Sequence, residues 1–397
     1  MILFRNFVGL AAVCSMAGAA LAQEVAVTPL AAPDLFSTGA GDGGLPADLW
    51  RGASAVTARR VIPMLATKPL SPAAEGLARR VLATGAAGPD GAGSDPELAA
   101  ARVAALTAVG GAAAAGEILA RTPGLERSPE LARGAAEAAL LAYDAQRACE
   151  ISRALAVGRD DIYWLRLRAY CQHRAGEAGA AQLTFDLAQG QSRDAVYGRL
   201  MGAKLAGGGD PGAASLRNGL DYALSRDLGL DLSAAKAAPA VAAILSPDAP
   251  EALPTADDPV LAEAMLAVAE GRLEAATLEA LVDRALTAGG RARGKAENAA
   301  LIFAALGAPA SPRARGEMAA FTDAESKAPP ARLLALDLAA EGRLMGETAL
   351  LALWVSADAG TAGPPTGDRT RLIRALRAAG LEADARAYAL EGLAAQR

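Results

Sequence analysis

Aromatic side chains are scarce in this chain of 397 residues, with 3 Trp, 6 Tyr and 6 Phe making up 4% of it. That poverty excludes an aromatic-rich β-sandwich. Histidine occurs once, at His173. A multi-histidine metal site is therefore impossible, and no HExxH motif exists. Three cysteines are too few for a disulfide-built miniprotein. Charged residues supply 21% of the chain, with the two signs interspersed. No basic stripe is present to neutralise phosphates, which argues against nucleic acid, and no polybasic patch to hold acidic lipids.

Alanine fills the space left, at 105 residues, beside 42 Gly and 22 Pro. An apolar content of 52% supplied by small side chains reads as helices packed through Ala and Leu.

The first residues, MILFRNFVGLAAVCSMAGAALAQEV, place Arg5 before an apolar run from Phe7 to Ala20, followed by Ala20-Leu21-Ala22 and Gln23. This is the pattern of a secretory signal peptide cleaved after Ala22. The run is shorter than a spanning helix needs, and Val13 before Cys14 does not fit a lipidation site. Later in the chain no stretch of 18 apolar residues escapes a charge. The expected mature chain, 23–397, carries a net charge of −6 after loss of Arg5. It should be periplasmic, with no stable membrane insertion after cleavage.

Residues 23–46 are Gly/Pro-rich without periodicity and predict a disordered leader. From 47 onward, amphipathic segments of 10–16 residues alternate with short Gly/Pro/Asp punctuation. Asp95-Pro96, Ser128-Pro129, Asp210-Pro211, Asp258-Pro259 and Ser311-Pro312 each put a capping side chain before a proline, a helix-start signal. Residues 84–95 predict a flexible loop. The stretch 246–259, SPDAPEALPTADDP, predicts a linker between an N-terminal helical block (47–245) and a C-terminal one (260–397). Ala-Glu-Gly-Arg-Leu occurs at 269–273 and again at 340–344, and Gly271, Gly307, Gly342 and Gly380 are spaced 36, 35 and 38 residues apart. That is the period of a helix–turn–helix repeat with glycine at the turn. The fold class expected is all-α, a superhelical array of antiparallel helix pairs.

Seven of the thirteen aromatics of 23–397 lie between Tyr143 and Tyr222. Within this region DIYWLRLRAYCQHRAGEAGAAQLTFDLAQ resembles a tetratricopeptide repeat. Gly176 takes the turn, and Ala181, Phe185 and Ala188 the small, large and small positions of the second helix. Trp164 and Leu167 stand one position early, and Ala169 replaces the usual glycine. The resemblance covers about 30 residues. It implies an α-solenoid whose role is to hold another protein.

Cys149 and Cys171 each lie eleven residues from Asp160. In an antiparallel hairpin, equal distance from the turn sets residues opposite one another, and an exported chain meets an oxidising compartment. A disulfide clamp is expected, with two buried free thiols as the alternative. A redox-active pair would want close spacing. Zinc held by Cys149, Cys171 and His173 lacks a fourth ligand, so no metal and no cofactor is expected. No G-x-S-x-G elbow exists to make His173 part of a triad. Gly39–Gly44 matches G-x-G-x-x-G without the strand and βαβ unit that would give it meaning. Asp160-Asp161 and Asp257-Asp258 read as helix caps rather than a catalytic pair. No catalytic residue is nominated.

Arg159, Arg166, Arg168 and Arg174 make part of a helical face basic, and with Tyr163 and Trp164 they are the candidate partner-binding residues. The function expected is a cell-envelope scaffold presenting a helical surface to a protein or peptide, not an enzyme. Two alternatives stay open. One is an α-superhelical portion of a cell-wall enzyme, similar in architecture to that of lytic transglycosylases. The other is a module binding a solute or glycan. Oligomeric state is not legible.

Overall fold

A computed structural model describes residues 32–41, 44–245, 256–322 and 324–397. The expected signal peptide and most of the linker lie outside them. The described residues form nineteen α-helices and no strand. In the first block these are α1 (Ala55–Leu65), α2 (Pro72–Ala83), α3 (Pro96–Ala108), α4 (Ala112–Ala120), α5 (Pro129–Leu141), α6 (Ala145–Ala154), α7 (Ile162–Arg174), α8 (Ala178–Gln191), α9 (Ala195–Ala206), α10 (Gly219–Asp227) and α11 (Pro239–Leu245). The second holds α12 (Pro259–Ala269), α13 (Ala275–Thr287), α14 (Gly290–Ala305), α15 (Pro312–Met318), α16 (Pro330–Glu341), α17 (Met345–Ala359), α18 (Thr366–Ala378) and α19 (Glu382–Ala394). The protein is all-α, and neighbouring helices pack in pairs.

Four of the five capping signals open helices as the chemistry requires. Asp95, Ser128, Asp258 and Ser311 each accept a hydrogen bond from a backbone N–H of the first turn. Asp210-Pro211 does not. There the carboxylate accepts the Gly212 N–H at 2.8 Å in a turn, and the next helix waits until Gly219.

Left-handed residues mark many of the turns: those at 110, 143 and 176 are spaced by 33, those at 271, 307, 343 and 380 by 36, 36 and 37, and others such as Gly124, Gly158, Gly290 and Gly360 fall between them. Five pairs, α3–α4, α5–α6, α7–α8, α16–α17 and α18–α19, share one turn. A left-handed residue is followed directly by the N-cap of the next helix, whose N–H returns to a carbonyl five residues back. Glycine holds this position in three of the five. Tyr143 (φ 64°) and Arg343 (φ 53°) hold it in the others.

The two Ala-Glu-Gly-Arg-Leu copies consequently turn one residue out of step. In the first, Gly271 is left-handed (φ 74°). In the second, Gly342 is still helical (φ −73°) and Arg343 makes the turn. The extra residue delivers Leu344 to the surface of Gly52, while the Gly346 N–H donates to the Leu49 carbonyl. Tertiary packing thus overrides an identical local sequence.

Spatial order departs from chain order. Helix α1 packs on α3 on one side and α17 on the other, and α2 packs on α17 and α19. The first two helices therefore sit inside the array, between the rest of the first block and the second. One hydrophobic cluster runs from Leu35 to Leu393 across this seam. Glu347 accepts from the Ser54 N–H (2.8 Å) and the Thr57 hydroxyl (2.7 Å) at the start of α1. Glu391 accepts the Ala73 N–H (2.8 Å) at the start of α2, where Ser71 forms no side-chain cap. Arg80 pairs with Asp384 and Lys68 with Asp358. The partners stand 290 to 318 residues apart in sequence.

The expected disorder of the leader does not extend to its last described residues, and the 84–95 loop is anchored by them. The Ala86 N–H donates to the Phe36 carbonyl, the Ala40 N–H to Ala83 and the Leu35 N–H to Gly93. Phe36 is fully buried, edge-on to Trp50. A Cβ at Gly39 would collide with the Gly85 backbone, so glycine here serves close approach rather than flexibility. Buried Arg102 staples both segments, donating to the carbonyls of Phe36, Thr38, Leu82 and Thr84. Desolvation pushes its guanidinium pKa down to about 10, partly opposed by Asp34.

Candidate functional site: an arginine-lined cleft over the disulfide

Helices α6 and α7 run antiparallel, and Cys149 and Cys171 are joined across them with their Cα atoms 5.5 Å apart. The bond ties the second helix of one tight pair, α5–α6, to the first helix of the next, α7–α8. Its position follows from helical geometry. Asp161 caps α7 by accepting the Tyr163 N–H, which sets the register that brings Cys171 opposite Cys149.

A cleft of about 440 Å³ opens over the disulfide. Arg153, Arg159, Arg168 and Arg174 line it, against Glu177 as the one lining carboxylate. Arg174 shares Asp227 at 3.6 Å and stacks on Tyr170. The other three are held by backbone carbonyls instead. Arg159 donates to the carbonyls of Arg153 and Leu155, Arg168 to that of Arg159, and Arg153 to that of Cys149. Among the described residues, none of these three guanidiniums has a carboxylate within ion-pair distance. Burial, and then the neighbouring Arg159, pull the Arg168 pKa below its ordinary value. The Arg168 Nε and the Gln172 Oε1 are enclosed without hydrogen-bond partners.

Of the sequence candidates, the structure brings Arg159, Arg168 and Arg174 together with the disulfide. Arg166 is not among them. It pairs with Asp194 at 3.3 Å, donates to the Ser192 carbonyl and lies over Tyr197, on the side facing α9. The reason is the 100° advance per helical residue: 168, 171, 172 and 175 share a face of α7, and 166 lies on another. Tyr163 and Trp164 are buried in the core, 7% and 2% exposed, and cannot meet a partner. Tyr163 lies beneath the Arg133 guanidinium, and burial, with Glu137 nearby, holds its hydroxyl well above the usual tyrosine pKa. Arg153 was missed, although it follows Cys149 by one helical turn and was readable from that spacing. His173 is half-buried in the last turn of α7.

Two carboxylate hubs brace the helices behind the cleft. Asp194 takes the N–H groups of Val196 and Tyr197 together with Arg166 and Arg217. Asp227 takes the Tyr170 hydroxyl, Lys204, Arg174 and Arg226. Burial raises both pKa values, but these donors outweigh it and hold both below the usual carboxylate range.

Among the described residues, no three of His, Cys, Asp and Glu cluster as a metal site, and no helix is long and apolar enough to cross a membrane. No family model, curated protein or solved structure matches the chain.

Proposed function

We propose that this protein is an exported, periplasmic scaffold of the cell envelope, built from tetratricopeptide-like helix pairs, that holds a protein or peptide partner. The observation that carries the reading is the cleft at the junction of two consecutive pairs, where three arginines stand without carboxylate partners. The α7–α8 pair supports the repeat assignment: Gly176 turns left-handed, Ala181 and Ala188 are buried, and Phe185 packs against Tyr197. So do the 33-residue spacing of left-handed turns and the shared turn geometry. The signal-peptide pattern and a disulfide suited to an oxidising compartment support export.

The test is affinity capture from envelope extract with oxidised 23–397 as bait, beside the same chain carrying Arg159→Gln and Arg168→Gln. One envelope protein enriched by the native bait and lost by the variant is the expected result. No envelope protein enriched by either bait, or recovery of the chain from the cytoplasmic fraction, overturns the proposal; equal enrichment by both baits keeps the scaffold and places its partner away from the cleft.

A further inference from the structure

We infer that the cleft over the Cys149–Cys171 bond is a binding site for closely spaced carboxylates carried on a peptide chain. This rests on the scaffold reading and names the chemistry of the partner. Three features specify the ligand. First, four arginines face one glutamate, and Arg153, Arg159 and Arg168 spend their bonds on carbonyl oxygens, which neutralise no charge. Like charges gathered along one cleft attract an anion, and a guanidinium fork matches a carboxylate in two-point geometry. Second, the arginines come from the end of α6, the α6–α7 connection, the middle of α7 and its last residue, so they line the cavity from several elements rather than mark one point. Two anionic groups on one ligand fit that distribution better than a single ion does. Third, a volume of about 440 Å³ falls within the range of small-ligand sites and suits a short segment of chain rather than a folded domain.

The disulfide forms part of this site. It holds α6 and α7 side by side, so the backbone positions that carry Arg153 and Arg168 stay adjacent when the ligand is absent and their charges repel. Preorganising like charges in this way lowers the cost of binding the opposite charge.

The experiment uses purified, oxidised 23–397 and a fluorescein-labelled hexapeptide of alternating Glu and Gly, read by fluorescence anisotropy at low salt. The same peptide with Gln for Glu should bind at least tenfold more weakly. Arg159→Gln/Arg168→Gln should lose at least tenfold in affinity. Arg291→Glu/Arg386→Glu, exposed positions on the second block, should keep native affinity and so separate the site from net charge. Circular dichroism of each variant establishes that it is folded. Equal binding of the Glu and Gln peptides overturns the inference, as does undiminished binding by a folded Arg159/Arg168 variant. Citrate or phosphate binding as tightly as the peptide also overturns it, because the site would then serve a small anion. Only purified components are used, so the outcome is independent of the capture experiment. Peptide binding without an envelope partner would sink the scaffold reading alone. A partner captured without the arginines would sink this inference alone.

Discussion

Two junctions hold the helices in place, and they are built on opposite principles. The α6–α7 junction is local: one covalent bond spans 22 residues of sequence, and its two helices are consecutive. The seam between α1–α2 and α17–α19 is remote, and it is made of common residues (Glu, Arg, Ser, Asp) brought together from 290 to 318 residues apart. The local junction needs only a hairpin to form. The seam needs the whole second block to fold back onto the first pair. The comparison teaches that consecutive helices of this kind are tied by a local bond, while remote ones meet over a shared apolar core whose helix ends are completed by polar groups from across the chain.

The largest effect is expected at the seam. Glu391 serves both the Arg369 guanidinium, 4% exposed, and the Ala73 N–H. Glu391→Ala leaves a buried charge and a helix-end donor unpaired and should cost about 3 kcal/mol, read as a lowered midpoint in urea. Glu391→Gln keeps an acceptor and should cost about half as much. If both variants match the native chain, the seam does not hold the blocks together. Cys149→Ser/Cys171→Ser should come close behind, at about 3 kcal/mol in the chain-entropy model for a loop of this size. Reduction of the native chain should reproduce that loss without affecting the Glu391→Ala difference, since the two sites share no partner.

Acid sharpens the contrast further. Asp227, in the first block, has its folded-state pKa held below the ordinary value by Lys204, Tyr170 and Arg226 despite burial. Its contribution is present above about pH 4 and is lost as pH falls through the folded-state value. Asp384, at the seam, has its pKa raised by burial, which Arg80 opposes only in part. Its contribution has the opposite sign: it is present at low pH and lost as pH rises through the raised value. Asp227→Asn should therefore destabilise by about 1 kcal/mol at pH 7 and flatten the acid limb of the stability curve, whereas Asp384→Asn should be neutral or slightly stabilising at pH 7. Urea midpoints from pH 3 to 7 decide it.

The smallest effect tests the turns. Arg343 is exposed and left-handed, beside a Gly342 that is not. Arg343→Gly should stabilise by about 0.5–1 kcal/mol, because glycine takes that conformation without steric cost. In the matching pentapeptide, Arg272 lies after the turn and bonds Glu263, Glu270 and Glu274. Arg272→Gly should give no gain. Equal thermal shifts in the two variants would show that the copies turn in the same register after all.

Much of the helix content was legible. Proline after Asp or Ser marked four helix starts, since a carboxylate or hydroxyl ahead of a proline answers two needs of a first turn at once. The exception, Asp210-Pro211, has the same side-chain chemistry and no apolar stripe behind it to bury. The Cys149–Cys171 bond was legible because cysteine is rare here and its spacing about Asp160 is symmetrical. The cleft was half legible. Positive charge near the disulfide could be read, but counting along the chain grouped Arg166 with residues that face elsewhere and passed over Arg153, which belongs with them. Tyr163 and Trp164, candidate partner-binding residues by sequence, are instead buried in the core, where large side chains bury the most apolar area.

Alanine stripes, capping prolines and a period near 35 residues by themselves dictate paired helices, because those signals act within one or two turns of chain. Tertiary structure alone decided that the first pair lies inside the array and that Arg343 rather than Gly342 makes its turn. It alone also placed three unpaired guanidiniums above one disulfide. Each of those outcomes depends on which surfaces meet across hundreds of residues, and a side chain's burial and counter-charge are properties of that meeting, not of its neighbours in sequence.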